Sequence, residues 1–298
     1  MTDHAVQIEG VYKRYPHFAL EDVSLDVPTG TILGFIGANG AGKSTTLHIL
    51  MGLVTHDRGR VEVLGHAIPD GMIAAKAEVG YVSEDMRLYG GATLAWHMGF
   101  IAKVFDGWDT EYAAALVRRF DLRPEQKIKG LSHGQRIKAA LLLALARRPR
   151  LLILDEPTTG LDPVARQEVI GALTEAMQDE SRTVLFSSQN TLDVEQIADR
   201  IAFIDRGRIV DTDDKERYLD RWRRVRLALP EAGAGAVLPA AVSVNVSGRV
   251  ATLVTDRHSD DLIEACRAAG ATVQGVDRMT LEEIFVASVM ARREEVAA

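Results

Sequence analysis

Apolar and polar residues alternate along Val6-Gln7-Ile8-Glu9-Gly10-Val11 and along Val23-Ser24-Leu25-Asp26-Val27, the period of half-buried strands. Arg60-Val61-Glu62-Val63-Leu64-Gly65-His66 continues that pattern and predicts one more strand. Between them a β-branched, apolar run ending in Ile32-Leu33-Gly34-Phe35-Ile36 predicts a strand, and Thr45 to Met51 reads as a helix leading away. Residues 93–148 change to the helical spacing of Ala, Leu, Arg and Glu, with Pro124 marking a break. Leu151-Leu152-Ile153-Leu154 and Thr183-Val184-Leu185-Phe186 are continuously apolar, as strands covered on both faces of a parallel sheet are. Ile201 to Ile204 and Arg208 to Val210 form a last pair, turned by Asp205-Arg206-Gly207.

After about Glu216 the character changes. Asp220-Arg221-Trp222-Arg223-Arg224-Val225-Arg226 is basic and predicts a solvated, charged helix face rather than a lipid-binding one, leading to Leu227-Ala228-Leu229. Val242 to Val246 and Val250 to Thr255 read as strands turning on Ser247-Gly248. Asp260 to Ala269 predicts a helix stopped by Gly270, Thr272 to Val276 a strand, and Leu281 to Arg292 a final helix. The expected organisation is an α/β domain over 1–216 followed by a small α+β domain over 217–298.

The chemistry begins at the junction between the third predicted strand and the first helix, Gly37-Ala38-Asn39-Gly40-Ala41-Gly42-Lys43-Ser44-Thr45. It fits G-x-x-x-x-G-K-[ST], and a strand, a glycine-rich turn and a helix N-terminus together make an anion site. Gly37, Gly40 and Gly42 are expected to take positive φ and let the backbone approach phosphates. Lys43 is expected to reach the β- and γ-phosphates, and the Ser44 hydroxyl to ligate Mg²⁺. Asp155-Glu156 ends the apolar strand at 151–154, so Asp155 fits the metal's coordination shell and Glu156 a general base for the attacking water. Leu131-Ser132-His133-Gly134-Gln135 opens a helix, with Ser132 as its N-cap and Gly134 allowing an anion close.

Composition sets limits on this picture. The net charge of −7 argues against a general nucleic-acid partner. One cysteine, Cys266, makes no intrachain disulfide and fits a reducing compartment. The start Met1-Thr2-Asp3-His4 has no signal pattern. The apolar run Ala139 to Ala146 is too short to cross a bilayer, so a membrane role is expected to come through a partner. The stretch Ala232 to Ala241 is rich in alanine and glycine.

In this order the motifs resemble those of the ATP-binding subunit of an ABC transporter over residues 5–215. The resemblance implies a phosphate-loop NTPase (RecA-like) core with a β subdomain and a helical subdomain at about 86–149. It identifies 37–45 as Walker A, 131–135 as the signature, 155–156 as the end of Walker B and Gly160-Leu161-Asp162 as the D-loop. Tyr15, in Lys13-Arg14-Tyr15-Pro16, matches the aromatic that stacks on adenine. The resemblance also implies a head-to-tail homodimer, in which Ser132, His133, Gly134 and Gln135 of one copy close on the ATP held by the other. It implies a separately encoded transmembrane permease, contacted through Met86 to Phe105, and a cytoplasmic location on the inner face of the membrane through that permease. The tail Met279-Thr280-Leu281-Glu282-Glu283-Ile284-Phe285 resembles ATPases serving drug, antibiotic or peptide exporters.

Three positions depart from the family pattern. Glu84 stands where a glutamine commonly contacts Mg²⁺ and water, and a carboxylate can still ligate the metal. His133 replaces a glycine. Gln189 replaces a histidine that touches the γ-phosphate; its amide can donate a hydrogen bond but carries no proton or charge. Turnover at a reduced rate is expected if that histidine's role is geometric, and very slow turnover if a proton passes through it. The alternatives to a transport ATPase are a nucleotide-dependent switch with scarce hydrolysis and a soluble, non-transport ABC ATPase.

Overall fold

The computed structural model describes residues 4–230 and 238–297, so Met1 to Asp3 and most of the alanine- and glycine-rich stretch lie outside the described residues. Two compact units divide the chain, Met1–Thr212 and Asp213–Ala298.

The first unit begins with β1 (His4–Tyr15) and β2 (Phe18–Pro28), paired antiparallel, then β3 (Ile32–Ile36) and α1 (Lys43–Leu50). β4 (Arg58–Val63) and β5 (His66–Ala67) complete a four-stranded sheet in the order β2-β1-β4-β5. The single strand expected over 60–66 is therefore a hairpin. Leu64 and Gly65 both take left-handed φ, 51° and 81°, the sign a tight two-residue turn requires. Leu64 is nonetheless buried, which is why the apolar alternation runs through the turn unbroken.

Next come α2 (Met72–Glu78) and β6 (Val79–Ser83), then a helical segment of α3 (Leu94–Val104), α4 (Thr110–Arg119) and α5 (His133–Leu145). Thr93 and Asp109 cap α3 and α4 through their side chains, and Pro124 falls in the connection after α4. β7 (Leu151–Asp155), α6 (Pro163–Ala176), β8 (Thr183–Ser188), α7 (Thr191–Ile197), β9 (Arg200–Asp205) and β10 (Arg208–Asp214) follow. The six-stranded sheet runs β10-β9-β3-β8-β7-β6, with β3, β6, β7, β8 and β9 parallel to their neighbours in that set. Every residue of β3, β7 and β8 is buried, as their unbroken apolar runs require. Leu33, Phe35, Leu47, Ile153 and Leu185 join Val6, Ile8, Val23 and Val61 in one hydrophobic core, so the two sheets are packed around shared side chains. Each such side chain contributes about 1.5–3 kcal/mol by leaving water.

The second unit contains α8 (Lys215–Arg221), β11 (Arg223–Ala228), β12 (Ser243–Ser247), β13 (Val250–Thr255), α9 (Asp260–Ala268), β14 (Thr272–Arg278) and α10 (Leu281–Ala297). Its sheet order is β12-β13-β11-β14. The basic run at 220–226 is not a charged helix face, as expected from sequence, but the end of α8 and the start of β11. Val225 and Leu227 alternate inward onto Ala251, Leu253 and Cys266, and that burial sets a strand. Arg224 pairs with Glu283 at 2.7 Å and Arg226 with Asp277 at 2.9 Å, so the charges are answered within the unit. Cys266 is free and buried, and burial pushes its thiol up from the ordinary range.

Candidate active site

Strand register assembles the site. Ile36 lies opposite Ser188, Asp155 opposite Ser187, and Ser83 opposite Asp155. The segments leaving β3, β8, β7 and β6 therefore emerge side by side at one edge of the sheet, carrying the 37–45 loop, Gln189, Glu156 and Glu84. Ligands of open parallel sheets bind at this carboxyl edge.

Within the loop, Gly40 and Gly42 take φ of 76° and 116°, as expected. Gly37 does not. Its reason is space, because a Cβ there would lie 2.6 Å from the carbonyl oxygen of Ile204 on β9. Ala38, Asn39 and Gly40 form the exposed crest of the loop, while Ala41, Gly42 and Lys43 are buried. Gly42 precedes α1, whose start has no side-chain cap and no acid in its first turn. Its free N–H groups and positive dipole end, at Lys43, Ser44 and Thr45, are open to an anion. The Lys43 ammonium donates to the Gly37 carbonyl at 2.7 Å and the Ala38 carbonyl at 3.3 Å. It also forms an ion pair with Glu156 Oε1 at 3.1 Å, with Lys43 6% and Glu156 8% exposed.

The carboxylates at the end of β7 are held by β8 and by their own turn. Ser187 Oγ donates to Asp155 Oδ1 at 2.5 Å and accepts the Glu156 N–H at 3.1 Å. Glu156 has a left-handed backbone, φ 52°. Its Oε2 accepts from Thr159 Oγ1 at 2.8 Å and from the Gln189 N–H at 3.3 Å. Gln189 thus meets the carboxylate through its main chain, and its residue is exposed. Glu84 joins the row through its N–H, which donates to the Asp155 carbonyl at 3.2 Å. Behind this row, fully buried Asp193 accepts from Thr158 Oγ1 at 2.6 Å and pairs with Arg166. Ser187, Thr158, Asp193 and Arg166 carry no local signal in the sequence, because their partners are brought together only by β7–β8 pairing and the docking of α7, whereas Thr159 reaches Glu156 within its own turn.

Oxygen ligands suited to Mg²⁺ are present in the Asp155 carboxylate and the Ser44 hydroxyl. Among the described residues there is no cluster of three or more His, Cys, Asp or Glu side chains that would cage a metal. One carboxylate with nucleotide phosphates completing the shell is the usual arrangement for this ion, so the residues fit it.

Ser132 caps α5 in a reciprocal box. Its Oγ accepts the Gln135 N–H at 3.2 Å, and Gln135 Oε1 accepts the Ser132 N–H at 3.0 Å. His133 Nε2 lies 3.2 Å from the Thr159 carbonyl, and a Cβ on Gly134 would meet Leu161 at 3.3 Å. The start of α5 therefore leans on the 159–161 turn of the same chain. Asp162 then caps α6; the Ala165 N–H first, and the Val164 N–H, hold its carboxyl below the ordinary range.

Tyr15, at the tip of the β1–β2 hairpin, stacks on Phe18 at 6.4 Å with Lys13 5.7 Å from its ring centre. A Cβ on Gly42 would meet the Phe18 ring at 3.0 Å, so Phe18, which sequence reasoning missed, bridges Tyr15 and the loop. On the helical segment, Trp96 and Phe100 are 51% and 50% exposed and stack at 5.4 Å, lining an apolar groove of about 340 Å³ with Tyr89 and Leu143. Among the described residues no helix is long and apolar enough to cross a membrane.

The ABC transporter family model matches residues 20–159. The chain is similar to a daunorubicin resistance ATP-binding protein of Streptomyces coeruleorubidus, 33% identical over 304 aligned residues that cover 96% of each. A linearmycin resistance ATP-binding protein of Bacillus subtilis (strain 168) is 32% identical over 69% of this chain and 68% of its own length. Among solved structures, an ATP binding subunit of an ABC transporter is 28% identical, with a TM-score of 0.66 over 71% of this chain and 90% of that one. A dimeric ATP-binding cassette bound to ADP and Pi shares the fold, at 21% identity and a TM-score of 0.63 over 70% of this chain and 98% of its own.

Proposed function

The chain belongs to the ABC transporter family as an ATP-binding subunit, and from that premise we propose that two copies close head to tail on ATP and drive a separately encoded permease. The observation that carries this reading is the single row formed by the 37–45 loop, Asp155, Glu156 and Gln189 at the sheet edge, with Lys43 and Glu156 3.1 Å apart. ATP phosphates entering the loop compete with Glu156 for Lys43. A triphosphate that draws the ammonium away leaves the Glu156 carboxylate held by Thr159 and the Gln189 N–H, positioned to accept a proton from water. Mg²⁺, held by Ser44 and Asp155 with Glu84 beside them, would supply charge neutralisation at the phosphates. Tyr15 offers a flat face to adenine, and stacking of this kind favours ATP over GTP only modestly.

Ser132 to Gln135 present an N-capped helix start to the other copy's nucleotide. Closure would then be favoured by ATP and released by hydrolysis. The apolar groove beside Trp96 and Phe100 is the surface on which a permease would sit. Two relatives are named for resistance to daunorubicin and to linearmycin, which supports export.

Gln189 favours one second reading, a switch that binds ATP but scarcely turns it over. Glu156, Asp155 and Lys43 are all in place beside it, which supports the geometric role and slowed, not abolished, hydrolysis. Steady-state ATPase of the parent chain and of Gln189→His separates the two. A gain above a thousandfold, about 4 kcal/mol of barrier, makes Gln189 disabling and favours the switch. Cross-linking between the 132 region and the 43 loop of paired copies tests the dimer: in Glu156→Gln it should rise with ATP. No ATP dependence there refutes closure, and no co-purifying membrane protein refutes the permease.

A further inference from the structure

The three sheets have edges at β2 and β5, at β10 and β6, and at β12 and β14. An open edge is a template for another chain, and folded proteins blunt it with charge, bulges, brevity or cover. β2 carries Glu21, Asp22 and Asp26 and shifts register against β1 at several points. β5 is two residues long, β6 is buried or half-buried throughout, and β10 carries Arg208, Asp211, Asp213 and Asp214. β14 has Asp277 and Arg278 and a register shift against β11. β12 has none of these devices. Ser243 to Ser247 are exposed at every position, and no charged residue stands from Ala232 to Gly248. Among the described residues β12 pairs only with β13. Val244 lies opposite Leu253 and Val246 opposite Ala251, which puts both valines on the core face of the sheet. They are nonetheless 44% and 45% exposed, so the core of the second unit runs out uncovered at this edge.

We propose that β12 pairs antiparallel with β12 of a second copy, centred on Asn245, and that this contact forms without nucleotide. The strand selects its own kind, because Ser243-Val244-Asn245-Val246-Ser247 reads the same in both directions. Laid antiparallel on itself, it sets Ser243 opposite the second copy's Ser247, Val244 opposite its Val246 and Asn245 opposite its Asn245. Of the registers that match valine with valine, only this one pairs all five residues. Residues directly opposite share a face, so the valines of both copies meet on the core side and cover one another. Serine and asparagine meet on the other side, where hydroxyls and amides can pair across the junction. The contact is two-fold and closes on itself, so it makes pairs rather than filaments. It is separate from the contact that ATP closes between first units. A pair held this way keeps the first units of both copies at raised effective concentration after hydrolysis releases them.

The test uses the full chain freed of nucleotide and magnesium, so that ATP cannot bring copies together. Sedimentation of the parent should show a dimer. Val244→Lys sets a charge on the core face of the edge and should weaken that dimer at least tenfold, whereas Val244→Thr keeps the branched shape and should pair as the parent does. Calorimetry checks that the second unit of each variant still melts in place. Register is read by disulfide trapping under a mild oxidant. Opposite Cα atoms of an antiparallel pair lie about 4.5–5.5 Å apart, within the roughly 4.4–6.8 Å that a disulfide spans. Asn245→Cys should therefore link to itself. Ser243→Cys and Ser247→Cys should each fail alone, since like positions are then about 13 Å apart, and should link when mixed. The parent serves as the blank, because its Cys266 is buried. A monomeric parent with no disulfide in Asn245→Cys overturns this inference and leaves ATP-driven closure standing. Ser243→Cys linking to itself as readily as Asn245→Cys, or a dimer unmoved by Val244→Lys, also overturns it. Open-ended assemblies in place of a dimer do the same.

Discussion

Removing one hydroxyl, in Ser187→Ala, should disturb the site more than any surface change. Ser187 is fully buried and its Oγ serves two groups, donating to the Asp155 carboxylate at 2.5 Å and accepting the Glu156 N–H at 3.1 Å. A hydrogen bond to a charged group contributes roughly 1.5–3 kcal/mol and a neutral one roughly 0.5–1.5, so the loss should be about 3 kcal/mol. In a unit of this size that corresponds to a melting shift of roughly 6–12 °C. Calorimetry of the full chain reads it, and a transition of the second unit that stays in place serves as the internal control. The charged half of the effect can be isolated. In an Asp155→Asn background the same deletion should cost only about 1–2 kcal/mol, a coupling of about 1–2 kcal/mol between the two positions. A shift below about 2 °C, or equal costs in the two backgrounds, would refute the claim that Ser187 works by holding an ionised Asp155.

Arg166→Ala leaves Asp193 buried without its cation, and should destabilise the first unit by about 3–5 kcal/mol in calorimetry; a change under about 1 kcal/mol would mean that Thr158 alone suffices. His133→Gly should lower ATPase roughly 2–10-fold by freeing the 159–161 turn, and His133→Gln, whose amide can still donate to the Thr159 carbonyl, should recover most of it; equal rates in both variants would contradict the contact. Asp162 is held below the ordinary aspartate range by the N–H groups of Ala165 and Val164, so its cap stabilises fully above the ordinary value of 3.8 and is lost as pH falls through the lower folded value. Melting temperatures of the parent and Asp162→Ala should therefore be furthest apart at neutral pH and converge in acid, and a constant gap would rule out the charged cap.

Local features of this fold were legible in the sequence because their causes are local. The glycine spacing at 37–45 and the apolar strand before it lie within one short segment, as does the capping box begun by Ser132. Three features were not legible, each for a different reason. The turn at Leu64-Gly65 was hidden because its leucine is buried, so periodicity and burial agreed while the backbone reversed. The basic run at 220–226 gave no strand signal because arginines occupy both faces, and only the inward Val225 and Leu227 betray the period of two. The support of the site was invisible for a third reason. Ser187 finds Asp155 across 32 residues of chain through the β7–β8 register, and Thr158 finds Asp193 across 35 through the docking of α7. Phe18 belongs to the same class, since its role beside Gly42 depends on the hairpin folding over the loop.

The left-handed backbone of Glu156 has a consequence for how this chain can change over evolutionary time. That conformation is easily occupied by glycine, asparagine or aspartate and resisted by branched side chains, at roughly 1–2 kcal/mol. Valine or isoleucine at this point would be weeded out as folding defects. Asparagine would pass that filter and lose the proton acceptor, so a duplicated copy could become a pure nucleotide sensor while its architecture went on looking intact.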